Sequence, residues 1–311
     1  MMAKGILSWI PGVRRTFYDR GAAHGTDSAS YCYGVWLKHL TLLWAHGMRA
    51  IPRTVLELGP GASVGTGVAA LLSGAERYVA IDAVAHMRPA TNGAIFNELV
   101  ALFAERAGRP KAGFPPIDEY LDSRLFPSAI LDEATLNHSL QPARLARIER
   151  AARNAGTPDA EDTLRYYTWD SLAHIAPASV DMLFSHVVLN HVPDLDRLYA
   201  TCARFVAPGG WMSHQTDFTC LNTAREWNGH WAYGDLAWKV ICGNRPYFMN
   251  REPLARHLAL LDAHGFDVVN VIRGRHDGGI RREQLAPRWR FISDDDLSTQ
   301  TGFIITRRRR T

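Results

Sequence analysis

The residues of this chain with the means to do chemistry fall in three places. Gly59-Pro60-Gly61, with Gly65 just beyond, makes a glycine-rich turn. Backbone N–H groups at such a turn, where it opens a helix, point outward and suit a charged small molecule, and glycine lets the ligand approach the main chain. Asp82 ends the apolar run Tyr78-Val79-Ala80-Ile81 about 20 residues later, the spacing of a carboxylate that accepts from ribose hydroxyls. His186, Asn190 and His191 follow a third apolar run, and His214, Gln215 and Asp217 close a fourth. An imidazole titrates near neutrality, and a carboxylate beside it fixes its tautomer and stabilises its cation, so such a pair can take the proton of a hydroxyl.

Positioning these groups requires strands that end where the polar residues begin. Thr54-Val55-Leu56-Glu57-Leu58 is short, apolar and stopped by glycine, which reads as a buried parallel strand. An alanine- and leucine-rich helix follows over 64–72, and a second strand ends at Asp82. Further strands are expected at 164–170, 181–188, 211–218, 266–272 and 302–306, with helices at 92–107, 142–155, 194–206 and 252–264. Strands alternating with helices predict an α/β, doubly wound Rossmann-like sheet. Ligands of such a sheet sit at the carboxyl ends of the strands, near the point where strand order reverses.

The chain has 311 residues, 47% of them apolar, enough for a sizeable core. Net charge is +4, and the run Arg307-Arg308-Arg309-Arg310 carries much of it, so the body is nearly balanced. That run reads as a solvated end rather than a phosphate- or membrane-binding patch. Cys32, Cys202, Cys220 and Cys242 are scattered and contain no C-x-x-C pair, so no zinc site or disulfide framework is expected, and no metal. Reduced thiols, no signal-peptide pattern and no apolar run near the ~20 residues of a membrane span predict a cytoplasmic, soluble protein.

The form E-L-G-P-G over Glu57–Gly61, the acid Asp82 and the stretch from Asp181 to Leu195 resemble the motifs of class I S-adenosylmethionine-dependent methyltransferases. Ala207-Pro208-Gly209-Gly210 resembles the turn entering that family's fifth strand. The resemblance covers roughly 50–82 and 160–309, and implies S-adenosyl-L-methionine as cofactor and S-adenosyl-L-homocysteine as product. It implies cofactor contacts at Glu57, Gly59, Pro60, Gly61, Asp82, Trp169, Asp170, Ser185 and His186. His191 and Asp217 match the positions of a histidine and an aspartate in members acting on small-molecule or sugar hydroxyls, with His214 in reserve. Asn190 stands where many members carry glutamate or histidine, which weakens a metal-assisted mechanism.

Two segments lie outside the family's general pattern. Residues 1–49 read as an N-terminal helical extension or lid, with Tyr31 or Tyr33 touching ligand, or as an accessory helix burying an aromatic stripe. Within the methyltransferase domain of 50–311, residues 83–162 form an insertion after the second strand, broken at Gly113-Phe114-Pro115-Pro116, that predicts a helical cap on the acceptor pocket. Arg144, Arg147, Arg150 and Arg153 step along its second helix and read as a solvated face rather than a phosphate site. Trp227, His230, Trp231 and Tyr233 lie in an aromatic loop suited to a ring-shaped acceptor, with Asn190 beside it; the loop 273–296 leaves room for a flap. A small-molecule or glycan acceptor methylated on oxygen is the expectation, since the D/N-P-P-Y/F element of nucleic-acid amino methylation is missing. N- or C-methylation, a non-catalytic cofactor-fold binding protein and an oxidoreductase on the same sheet are the alternatives.

Overall fold

The computed structural model describes residues 2–9, 25–110, 120–245 and 248–310. The proline break at 113–116 and the stretch 10–24 of the N-terminal extension lie outside the described residues. In chain order the elements are α1 (Met2–Leu7), α2 (Ala29–Ala45), β1 (Thr54–Leu58), α3 (Gly65–Leu72) and β2 (Arg77–Asp82). The insertion supplies α4 (Pro89–Ala104), α5 (Glu133–Ser139) and α6 (Pro142–Arg153). Then come β3 (Leu164–Thr168), β4 (Val180–His186), α7 (Leu195–Phe205) and β5 (Val206–Asp217). The last are α8 (Asp235–Cys242), α9 (Leu254–Ala263), β6 (Phe266–Arg275), α10 (Asp294–Ser298) and β7 (Thr299–Arg308).

The strands form one seven-stranded sheet in the order β3-β2-β1-β4-β5-β7-β6. β1 pairs in parallel with β2 on one side and β4 on the other, and β2 with β3. Strand order therefore reverses between β1 and β4, which makes the carboxyl ends of those two strands the binding edge. The chain divides into two compact units. One holds α2–α6, β1–β4 and the first part of β5; the other holds α1, most of α7, the end of β5, and the elements from α8 to β7.

In the unit containing β1, helix α3 is buried along its whole length because α2 and α4 both pack on it. α2 carries the aromatic stripe read from the sequence, and the stripe faces the core: Tyr33 and Trp36 have no exposed surface. Their polar tips are used internally, Tyr33 donating to the Ala107 carbonyl (2.6 Å) and Trp36 to Ser73 (2.7 Å). Buried aromatics with satisfied tips are core members, so this stripe packs on the core and the Tyr33 hydroxyl proton is used internally. The insertion stacks against the same layer. Asn92 on α4 donates to the Ala152 carbonyl of α6, and Arg144 donates to the carbonyls of Leu71 and Ala75 at the end of α3. The remaining arginines are the surface face expected, Arg150 paired with Glu161 and Arg153 with Glu149.

Among the boundaries that differ from the sequence reading, two change what the residues do. β5 begins at Val206, so Pro208-Gly209-Gly210 lies inside the strand, where Gly209 (φ +79°) makes the local departure. β7 continues to Arg308, and the arginine run is not a free tail. Arg307 donates to the Gly209 carbonyl (3.0 Å) and lies over the Trp211 ring at 5.2 Å.

Gly67 on α3 sits where a Cβ would overlap the Tyr78 ring of β2. Gly67→Ala gains helix propensity but must displace a buried ring, so a net loss of about 1–3 kcal/mol is expected in urea unfolding. Unchanged stability would show that α3 and β2 are not held at this spacing.

Candidate cofactor site and acceptor-side residues

The site is built from the end of β1. Gly59 and Gly61 both adopt left-handed backbone (φ +70° and +74°), which turns the chain out of the strand and back into α3. The Gly59 N–H still donates to the Ile81 carbonyl (2.8 Å), so the turn stays tied to β2. Thr26, ahead of α2, clasps its far side. Its hydroxyl accepts from the Ala62 N–H (2.8 Å), and its carbonyl accepts from the Ser63 hydroxyl. A Cβ on Gly61 would reach within 2.7 Å of the Thr26 hydroxyl. Nothing in the spacing pointed to Thr26, since its contacts cross 36 residues of chain. The only local sign is Ser28 two places on, which caps α2.

Asp82 ends β2 with its carboxylate nearly buried. One oxygen accepts from the Ala83 N–H (2.8 Å); the other is sealed from solvent and has no hydrogen-bond partner. Burial raises its pKa despite the opposing pull of His86 and of the nearby Ala83 and Gly61 amides and Tyr166 hydroxyl. Tyr166 accepts from the His86 N–H (3.0 Å) and fastens the loop after β2. The register Asp82↔Thr168 puts Trp169, half-buried, at the next strand end, with Asp170 exposed beside it. Leu58↔Ser185 does the same for His186, which follows the buried Ser185 at the end of β4. Sequence reasoning thus placed Gly59, Gly61, Asp82, Trp169, Ser185 and His186 on strand ends that the fold brings side by side. Glu57 differs: it is buried within β1 and accepts a hydrogen bond from the Tyr78 hydroxyl. Burial pushes its pKa up to about 8, against the pull of that bond.

The other unit holds the acceptor-side candidates. His191 ends a short 3-10 turn, Leu189–His191, and its Nε2 lies 3.4 Å from the Asn190 amide nitrogen. Asn250, which sequence reasoning missed, clamps that turn by donating its side-chain amide to the carbonyls of Leu189 (2.7 Å) and Val192 (2.8 Å). Asp217 is buried at the end of β5 and accepts from the Thr219 N–H (2.8 Å) and hydroxyl (3.0 Å). His214 is wholly buried with its ring edge-on to Tyr199, and burial first, then His257, push its pKa down to about 3. An imidazole in that state is poorly suited to take a proton near neutrality.

The aromatic loop is largely core. Trp231 is 1% exposed and donates to the Arg251 carbonyl (2.8 Å), packing with Ile280, Leu285, Trp289 and Ile292. Arg251 lies over the Trp238 and Trp289 rings (4.4 and 5.0 Å) and donates to the Tyr233 carbonyl (2.8 Å). His230 is buried, the Tyr233 hydroxyl donates to Thr223, and Trp227 donates to Gly278. The loop 273–296, expected to leave room for a flap, instead packs on this core through Asn228, whose side-chain Oδ1 accepts from the Ile280 N–H (2.7 Å). Four Trp and Tyr residues with a buried arginine make a second hydrophobic centre, for which the sequence showed the aromatics but not the partners.

The profile of a methyltransferase domain matches residues 131–213, the stretch containing β3, β4 and most of β5. Over that stretch the chain is similar to methyltransferase domains. Among curated proteins, this chain is 40% identical over 78 residues to a ubiquinone biosynthesis O-methyltransferase of Paracidovorax citrulli (strain AAC00-1). The match spans 25% of this chain and about 30% of the length of that relative. Solved structures with a similar fold include an S-adenosylmethionine-dependent methyltransferase of Mesorhizobium loti, 16% identical, covering 87% of this chain and 98% of that one (TM-score 0.43). Another is phosphoethanolamine N-methyltransferase 2 of Haemonchus contortus in complex with S-adenosyl-L-methionine, 13% identical, covering 95% and 60% (TM-score 0.45).

Because Glu57 holds its proton in the folded chain up to about pH 8, against 4.5 for an ordinary glutamate, the folded state binds more protons between those values. Its contribution is therefore lost as pH rises through that window. Glu57→Gln, which keeps an uncharged acceptor for Tyr78, should gain melting temperature on the parent by several degrees between about pH 5 and about pH 8. Parallel melting curves for the two proteins across that range would show that Glu57 is ionised throughout.

Proposed function

We propose that this chain is a methyltransferase that moves a methyl group from S-adenosyl-L-methionine to a hydroxyl of a small-molecule or sugar acceptor. The observation that carries the cofactor assignment is the buried, unpartnered carboxylate oxygen of Asp82 beside the left-handed glycine turn. A buried acceptor of this kind calls for a donor, and a ribose hydroxyl supplies one. Gly59 and Gly61 leave the main chain open to the ligand, and Trp169 offers a flat apolar face at the next strand end. When bound, the cofactor would supply an electrophilic methyl carbon on a sulfonium, whose carbon–sulfur bond pair would stay on sulfur, giving S-adenosyl-L-homocysteine as the product.

The part left to the chain is orientation and proton removal. A neutral alcohol is a poor nucleophile, so its proton must leave near the moment of attack, to a base worth roughly 10²–10⁴-fold. We assign that role to His191, held on its turn by Asn250, with Asp217 as the supporting carboxylate. Oxygen as the methylated atom agrees with the name of the curated O-methyltransferase relative, over the segment the two share. Among the described residues no helix is long and apolar enough to cross a membrane. The cytoplasmic placement and the small acceptor are part of the same proposal.

Calorimetry with S-adenosyl-L-homocysteine tests the cofactor half. Asp82→Ala should weaken binding by about 1.5–3 kcal/mol, as loss of a hydrogen bond to a charged group does, and Gly61→Val should abolish it. Unchanged affinity in both would remove the basis of the assignment. For the chemistry, His191→Ala and Asp217→Asn should each lower turnover by about 10²-fold or more at saturating acceptor, with product affinity nearly intact. The double variant should be little worse than the poorer single one; near-normal turnover of His191→Ala would leave orientation alone as the source of rate.

A further inference from the structure

His186 stands one residue beyond the Leu58–Ser185 pair, so it neighbours Gly59 at the point where strand order reverses. Its Nδ1 lies 3.2 Å from His39 Nε2, and His39 Nδ1 lies 2.7 Å from the Ser213 hydroxyl. His39 on α2 and Ser213 on β5 have no exposed surface, and Tyr31 closes over the His186 ring edge-on at 6.1 Å. The outer nitrogen, His186 Nε2, is sealed from solvent and has no hydrogen-bond partner. Two buried groups in a row leading to a half-buried imidazole, whose outer nitrogen is sealed and unsatisfied at the binding edge, are more than packing requires.

The row has a direction. Burial, with Lys38 adding to it, keeps His186 uncharged, so its ring carries a single N–H. Among the described residues the Ser213 hydroxyl has the His39 ring as its side-chain hydrogen-bond partner. The hydroxyl proton therefore goes to His39 Nδ1. A neutral His39 then carries its one proton on Nε2, where it is donated to His186 Nδ1, and the one proton of His186 falls on Nε2. The reverse order would bury a serine proton with no acceptor, which is the costly arrangement.

We infer that His39 and Ser213 are positioning residues that fix His186 as its Nε2–H tautomer, and that this N–H donates to the amino-acid carboxylate of the bound cofactor. The inference rests on the cofactor reading above: with the ribose at Asp82, the glycine turn and the end of β4 meet the amino-acid end. A neutral donor suits that place, because it satisfies an anion without adding positive charge beside the sulfonium.

Long-range ¹H–¹⁵N spectra of the full, labelled chain read the tautomer directly, with His186→Leu identifying the ring. His186 should be protonated at Nε2; Ser213→Ala should mix the two tautomers and Ser213→Thr restore the one. In calorimetry, His186→Leu should weaken S-adenosyl-L-homocysteine about ten- to hundredfold and 5′-methylthioadenosine, which lacks the amino-acid end, less than about twofold. Ser213→Ala should weaken S-adenosyl-L-homocysteine about three- to tenfold and Ser213→Thr should recover it. A His186 protonated at Nδ1, or equal losses for the two ligands, overturns the inference. Should S-adenosyl-L-homocysteine fail to bind the parent chain, the cofactor reading falls and the carboxylate half falls with it, while the ring spectra still decide the relay.

Discussion

Two residues of left-handed backbone, Gly59 and Gly61, are the constraint on which the first unit depends. With side chains at both, β1 could not turn sharply enough to deliver its last residues to the start of α3 while staying bonded to β2 through the Gly59 N–H. Because the turn is tight, the ends of β3, β2, β1 and β4 fall level, and the register aligns Thr168, Asp82 and the Leu58–Ser185 pair. The chemistry attributed to Asp82 and His186 follows from that alignment rather than from any one side chain.

Fastening the turn costs the unit some of its polar groups. Thr26 spends its hydroxyl and carbonyl on Ala62 and Ser63, and Tyr78 spends its hydroxyl on a Glu57 that burial keeps protonated. Such groups are fully used, so they rigidify without offering anything to a ligand. Asp82 and His186 are the contrast: each ends a strand, and each keeps one buried polar atom unsatisfied. In a close-packed interior unsatisfied atoms are expected where a ligand completes the structure.

The second unit solves a different problem. Its long connections carry few apolar residues in regular periodicity, and they cohere by collapsing Trp231, Trp238 and Trp289 around the buried Arg251. A guanidinium there is tolerated because backbone carbonyls of His230 and Tyr233 accept its protons and aromatic faces cover it. Asn250, next in sequence to Arg251, holds the turn bearing His191. The aromatic cluster and the candidate base are thus linked by two consecutive residues of one loop.

Sequence alone determined the strands, the glycine turn and the acid after β2, because these are local patterns: short apolar runs, glycine at a forced φ, and fixed short spacings. It also placed His186 and Asp217 at strand ends and His191 on the turn after β4, since each follows an apolar run closely. Only the tertiary structure decided what each polar group does. Glu57 carries the same motif letter whether it meets ligand or Tyr78, and burial against β2 settled it as internal. The aromatic loop read as a pocket lining because aromatic composition is the same for a pocket and a core; Arg251 and the 273–296 segment, distant in sequence, made it core. Thr26, His39, Ser213 and Asn250 had no sequence signal at all, because a hydrogen bond across 36 to 174 residues leaves no spacing to read.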